Sequence, residues 1–268
     1  MDDTFRLHRG TTPLLVSIPH CGVHLPGPID KRLTPEARRL ADTDWHLERL
    51  YDFAQAMGAS VIAATHSRYV IDLNRPPDGA ALYPGADNTE LCPTTSFARE
   101  PLYQPGDAPN PDEIEQRIEV YWRPYHEALS GEIERLRSLH GVALLYDAHS
   151  IQSIVPRFFD GRLTDFNLGT AAGDSAEGAL AQRLLAVCQA ADGFSCVLNG
   201  RFTGGYITRR YGKPASDVHA VQLELSQATY MDEEPPFPYR SDLADGVQPV
   251  LKRLLAEMLD WLETAKSR

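Results

Sequence analysis

Two histidines and several carboxylates stand at places where a folded chain could bring them together. The apolar, strand-like run Leu144-Leu145-Tyr146 stops at Asp147-Ala148-His149-Ser150. His149 is therefore expected at a strand end, and a rigid strand holds a ligating imidazole better than a mobile loop does. Leu14-Leu15-Val16-Ser17-Ile18 is a second such run, and it opens into Pro19-His20-Cys21-Gly22, so His20 also follows a strand end. Glu224 interrupts the apolar run Val218 to Ser226, where a lone carboxylate is either an ion-paired core group or a poised acid/base. Asn74-Arg75, backed by Pro76-Pro77, makes a fork of donors suited to a carboxylate. The segment Asn199 to Arg210 adds Arg201, Arg209 and Arg210 around flexible glycines, and reads as an anion-contacting stretch or an ordinary surface hairpin.

These groups need elements to position them. Thr34-Pro35-Glu36 is a helix start and Gly58 a stop, with Ala37, Leu40, Ala41, Leu47, Leu50, Tyr51 and Ala54 as an apolar stripe between them. On such a helix Asp44 lies on the stripe, whereas Asp42 and His46 lie about 200° round from it. A buried carboxylate needs a partner, either a cationic side chain or a metal. Strands are predicted at Leu14 to Ile18, Ser60 to Thr65, Arg68 to Leu73, Val142 to Tyr146, Phe166 to Gly169, Phe194 to Leu198 and Val218 to Ser226. Helices are predicted at Asp112 to His140, kinked at Pro124, at Ala176 to Ala190 and at Asp245 to Thr264. The alternation is that of an α/β protein. From Asp78 to Pro111 the chain is rich in Pro, Gly, Asp and Thr, which suits a lid or pocket wall.

The 268 residues are read as one α/β domain spanning 1–268. A net charge of −11 argues against binding nucleic acid through clustered basic residues. The cysteines Cys21, Cys92, Cys188 and Cys196 form no CxxC pair, the N-terminus has no apolar signal core, and no run approaches about 18 apolar residues. A cytoplasmic protein that does not engage membranes is the expectation.

His20, Asp44 and His149 are together a ligand set of the kind catalytic zinc prefers, with one position left for water. Pro19-His20-Cys21-Gly22, Asp42-Thr43-Asp44-Trp45-His46, Asp72-Leu73-Asn74-Arg75-Pro76, Asp147-Ala148-His149-Ser150 and Gln222-Leu223-Glu224 occur in this order. The set resembles the N-formylglutamate amidohydrolase family over nearly the whole chain. That family looks like a distant relative of the zinc carboxypeptidases and of aspartoacylase. The resemblance implies a three-layer α/β fold, a mixed twisted sheet flanked by helices, zinc-carboxypeptidase-like (phosphorylase/hydrolase-like). It implies one Zn2+ held by His20, Asp44 and His149, with Asn74 and Arg75 on a substrate carboxylate and Glu224 as general base. In the carboxypeptidase pattern the acidic ligand follows three residues after the first His, where this chain has Val23; the helical-face argument favours Asp44 over Asp42.

The implied substrate is the small molecule N-formyl-L-glutamate, cleaved to glutamate and formate in histidine degradation. Its second carboxylate calls for another cation, with Arg201, Arg209 and Arg68 as candidates. The competing readings are a metal-dependent deacylase or carboxypeptidase acting on another N-acyl acidic amino acid, and a binding protein for acidic amino acids. The latter would have no use for Glu224. A nucleophile at Cys21 beside His20 or Ser150 beside His149 is disfavoured, because adjacent strand residues point to opposite faces.

Overall fold

The computed structural model describes residues 3–82, 85 and 87–266. Its seven strands are β1 (Phe5–His8), β2 (Leu14–Ile18), β3 (Ser60–Ala64), β4 (Ala143–Ile151), β5 (Phe166–Gly169), β6 (Cys196–Leu198) and β7 (Val218–Ser226). They form one mixed sheet in the order β1-β3-β2-β4-β7-β5-β6. β3, β2, β4 and β7 run parallel, β1 pairs antiparallel with β3, and β5 pairs antiparallel with β7 and parallel with β6. The helices are α1 (Gly27–Asp30), α2 (Leu47–Leu50), α3 (Pro111–Arg117), α4 (Arg123–His140), α5 (Gly178–Gln189), α6 (Tyr206–Tyr211) and α7 (Ser241–Lys266). Among the described residues no helix is long and apolar enough to cross a membrane.

The period of two in the central strands sorts their side chains into two layers. Leu144, Tyr146 and Ala148 of β4 and Val221, Leu223 and Leu225 of β7 pack with Leu180 and Leu184 of α5 and Leu251, Leu254 and Leu255 of α7. Ala143 and Leu145 of β4 and Ala220 of β7 face the other way, onto Tyr125, Leu129, Ile133 and Leu136 of α4. Those four residues recur at helical spacing and form the buried stripe of α4. Further along this second face, at the carboxyl ends of the strands, apolar side chains give way to Ser17, Asp147 and Gln222, which share one row of the register.

Most predicted elements form within a few residues of their expected bounds, and the exceptions have physical causes. The helix expected from Thr34 to Gly58 is absent. The segment has a 3-10 turn at Ala37–Arg39, the four-residue α2 and a series of turns. Leu40 and His46 adopt left-handed conformations, with φ of 53° and 63°, that no α-helix accommodates. The strand expected at Arg68 to Leu73 is also absent. β1, an alternating edge strand that the sequence reading passed over, occupies the free edge of β3. The buried 68–73 segment therefore bonds elsewhere: Asp72 N–H donates to the Leu91 carbonyl (2.7 Å), and Arg117 donates to the Val70 carbonyl (2.8 Å). Asn199 to Arg210 is not a hairpin but a loop leading into α6. Before Pro124 the helix widens into a π turn at Ile118–Trp122, which accommodates a residue without an N–H. β4 continues past Tyr146 to Ile151, so His149 lies within the strand.

Candidate active site

The spacing Asp147-x-His149 on β4 and Gln222-x-Glu224 on β7 projects four polar side chains from one face of the sheet. In register, Asp147 lies beside Gln222 and His149 beside Glu224. His20 follows β2, the other neighbour of β4, and Asp44 arrives on the irregular 41–46 segment, whose backbone N–H donates to the His20 carbonyl (3.1 Å). His20, Asp44 and His149 are 3%, 1% and 2% exposed, so they have left water and need partners.

Each imidazole has one nitrogen committed to a carboxylate. His20 Nε2 is 2.7 Å from Asp72 Oδ1, and His149 Nε2 is 3.0 Å from Asp147 Oδ2. Asp147 is held in turn by the Ser17 hydroxyl (3.0 Å). With Nε2–H donating to an aspartate in both rings, each Nδ1 carries the lone pair. The two Nδ1 atoms face each other at 3.2 Å, with Asp44 Oδ2 at 3.7 Å from that of His20 and 3.3 Å from that of His149. With both rings neutral, three acceptors converge on one point, which calls for a cation there. Among the described residues Asp44 Oδ1 has no hydrogen-bond partner, although Arg68 lies 3.6 Å away. This group, with its ligand atoms within 4.8 Å of one another, could hold a metal ion, and two imidazoles with a carboxylate are chemically suited to one.

The electrostatics show the same demand for positive charge, which a proton on His149 also answers. Burial disfavours the charged form of His149, yet Asp147, Asp44 and Glu224 hold its pKa well above the ordinary imidazole value. Burial opposes ionisation of Asp44, but His149 and His20 keep it below the usual carboxylate range. Asp72 is likewise depressed against its burial, by His20, Arg68 and Arg75. The site is a well of negative potential that favours a cation. Glu224 goes the other way: burial, with Asp44 and Asp147 adding to it, pushes its carboxyl up to about 8 against the pull of His149 and Arg68.

His20, Asn74, Arg75, His149, Arg201 and Glu224 line one cavity, while the buried Asp44 is not among its described lining residues. Arg68, also in the lining, donates to Asp72 Oδ2 (2.8 Å). Arg75 donates to the Thr89 hydroxyl (2.9 Å), and Arg201 donates through Nε to the Phe158 carbonyl with its guanidinium over the Phe202 ring (5.3 Å). Arg209 is not among the described lining residues; its guanidinium turns back to the Gly204 carbonyl (2.8 Å) and the Thr203 hydroxyl (3.1 Å). Asn74 is less a free fork than expected. Its Oδ1 accepts from Ile207 N–H (2.8 Å), which directs Nδ2 to within 3.1 Å of His149 Nε2. Asp42, the alternative to Asp44, accepts from Phe97 N–H (2.9 Å) away from the histidines, and burial pushes it up to about 6.

Sequence reasoning did not assign Asp72, Gln222 or the aromatic wall of Phe97, Phe158 and Phe202 to this cavity. For Asp72 no local signal exists, because it meets His20 across 52 residues. For Gln222 the two-residue spacing from Glu224 was a usable signal. The loop expected to form a pocket wall does so, through Leu82, Asp87 and Phe97; positions 83, 84 and 86 within it lie outside the described residues.

The sequence pattern of the N-formylglutamate amidohydrolases matches residues 12–231, a span that contains every one of these groups. The chain belongs to the N-formylglutamate amidohydrolase family. Proteins named N-formylglutamate deformylase from Pseudomonas aeruginosa and Pseudomonas putida are each 55% identical to it over 261 residues. The match covers 97% of this chain and 98% and 97% of theirs. The crystal structure of an N-formylglutamate amidohydrolase from Ralstonia eutropha JMP134 aligns with a TM-score of 0.83 at 23% identity, covering 98% of this chain and 99% of that one. That of a gene product from Agrobacterium tumefaciens aligns with a TM-score of 0.74 at 17% identity, covering 97% and 96%. At such identities the two structures establish a shared fold. α7, which seals one layer of the core, lies beyond the family's matched span.

Proposed function

We propose that this chain hydrolyses N-formyl-L-glutamate to L-glutamate and formate, using a divalent metal, zinc in the first instance, held by His20, Asp44 and His149. The observation that carries the reading is the convergence of two Nδ1 lone pairs and a carboxylate oxygen beside a buried glutamate. It occurs in a chain 55% identical to proteins named for this deformylation. The site on the carboxyl ends of a mixed sheet also suits a distant kinship with the zinc carboxypeptidases, and a place in histidine degradation would follow from the substrate.

A metal in that group would supply Lewis acidity, polarising the formyl carbonyl and acidifying a water. Glu224, whose affinity for a proton is raised by burial, accepts the proton of the attacking water and passes it to the departing amine. Arg68, fixed by Asp72, offers a charge to the oxygen on which negative charge develops. Arg75 and Arg201 line the cavity and take the two carboxylates, whereas Arg209, bonded back to its own loop, is the weaker candidate.

The test is formate release from N-formyl-L-glutamate, with N-acetyl-L-glutamate in parallel, by protein stripped of metal and then reconstituted with zinc. Activity should vanish on stripping and return with about one metal per chain. Full turnover by stripped protein would remove the metal from the reading, and a preference for the acetyl compound would remove the substrate. Glu224→Gln should keep its metal and lose turnover; loss of metal with it would make Glu224 a ligand instead.

A further inference from the structure

Gln222 stands on β7 two residues before Glu224, so both side chains leave the same face of the strand. It is 3% exposed, lines the cavity, and has both ends of its carboxamide occupied. Gly205 N–H donates to Oε1 at 2.7 Å, which settles which end is oxygen, because of the two ends of a carboxamide only the oxygen accepts. Nε2 consequently faces Glu224 and donates to its Oε2, at 3.4 Å. Asn74 is oriented by the same turn of chain, since Ile207 N–H donates to its Oδ1. The start of α6 thus turns the amide nitrogens of two cavity residues inward.

We propose that Gln222 is a positioning residue for Glu224: its amide N–H holds Oε2, so that Oε1 is the oxygen presented to the substrate water. The proposal rests on Glu224 being the base. Among the described residues the Gln222 amide is the hydrogen-bond donor to the Glu224 carboxylate, and a misaimed base loses proton-transfer geometry before it loses anything else. The Gly205 contact is the competing, merely structural role, and a single substitution separates the two. In Gln222→Glu an oxygen still accepts from Gly205 N–H, but the group facing Glu224 changes from donor to acceptor.

The experiment compares kcat, KM, metal content and thermal midpoint of the zinc-loaded wild-type, Gln222→Glu, Gln222→Met and Glu224→Gln proteins on N-formyl-L-glutamate. Glu224→Gln should be inactive. Gln222→Glu should lose kcat by about 10- to 100-fold, a fraction of the about 10²–10⁴-fold that a general base contributes. Its KM should stay within about threefold and its metal content unchanged. If the added buried acid prevents folding, Gln222→Met removes the donor without adding charge and should show the same fall in kcat. Wild-type kcat in whichever of these two folds, alongside an inactive Glu224→Gln, would overturn the proposal and leave Gln222 as an anchor for Gly205. An active Glu224→Gln would overturn the base itself, and the positioning role with it.

Discussion

At the scale of single residues, the site depends on which nitrogen of each imidazole is free. Asp147 and Asp72 decide that by accepting Nε2–H, and a carboxylate so placed also makes the ring a better donor through Nδ1. Asp147→Asn should therefore weaken zinc binding by about 10- to 100-fold, as read by competition with a chromogenic chelator. An unchanged affinity would mean that the ring keeps its tautomer without Asp147. The role of Asp147 is suggested by sequence, because residues two apart on a strand share a face. That of Asp72 is not, because its partner is remote in the chain. A helix-face argument favours Asp44 over Asp42, but the structure gathers Asp44 with the histidines by a different route, a loop hung on the His20 carbonyl. The residue was legible, but the reason given for it does not hold.

At the scale of elements, α6 is a short helix with an unusually determined start. A Cβ on Gly205 would sit 2.1 Å from Asn74 Nδ2 and 2.5 Å from its Cγ, so even a methyl group there displaces Asn74 or the helix. Gly205→Ala should cost about 1–3 kcal/mol of stability, the usual cost of overpacking, and should lower kcat/KM by more than its thermal shift would suggest, because Asn74 and Gln222 both lean on this turn. A variant with wild-type kinetics and stability would show that the contact relaxes freely. The elements themselves were mostly legible where period and length agreed. α4 and α7 show apolar stripes over many turns, and β5 and β7 run from turn to turn. The stripe from Ala37 to Ala54 shows the limit of periodicity: all its members except Ala41 are buried, but on turns folded against the sheet.

At the scale of the whole molecule, stability responds to pH through groups held away from their ordinary state. His126 stacks on Trp122 (3.8 Å between centroids), donates Nε2–H to the Leu73 carbonyl (2.8 Å), and is driven down to about 4 by burial, against the pull of that bond. The folded chain therefore resists a proton that the unfolded chain accepts near 6.5. Its contribution is fully present above 6.5 and is lost as pH falls toward 4, by about 1.4 kcal/mol per unit and about 3 kcal/mol in all. Glu224 and Asp42, raised to about 8 and about 6, have the opposite sign and lose their contribution as pH rises. The His126 effect is thus seen in a difference. Denaturant titrations of wild type and His126→Gln between pH 7 and 4 should converge as pH falls, and parallel curves would remove His126 as the source.

Read alone, the sequence determined the α/β class and the positions of most strands and long helices, because these follow from hydrophobic period, capping and turn chemistry among near neighbours, whereas the site residues were legible through the order of motifs that the family resemblance rests on. Only the tertiary structure decided the partners: Asp72 for His20, Asp44 for both histidines, and Arg201 rather than Arg209 in the cavity. Those pairings span tens to more than a hundred residues. They depend on which strand takes which edge of the sheet and in what register, and a one-residue slip would turn His149 or Glu224 to the opposite face.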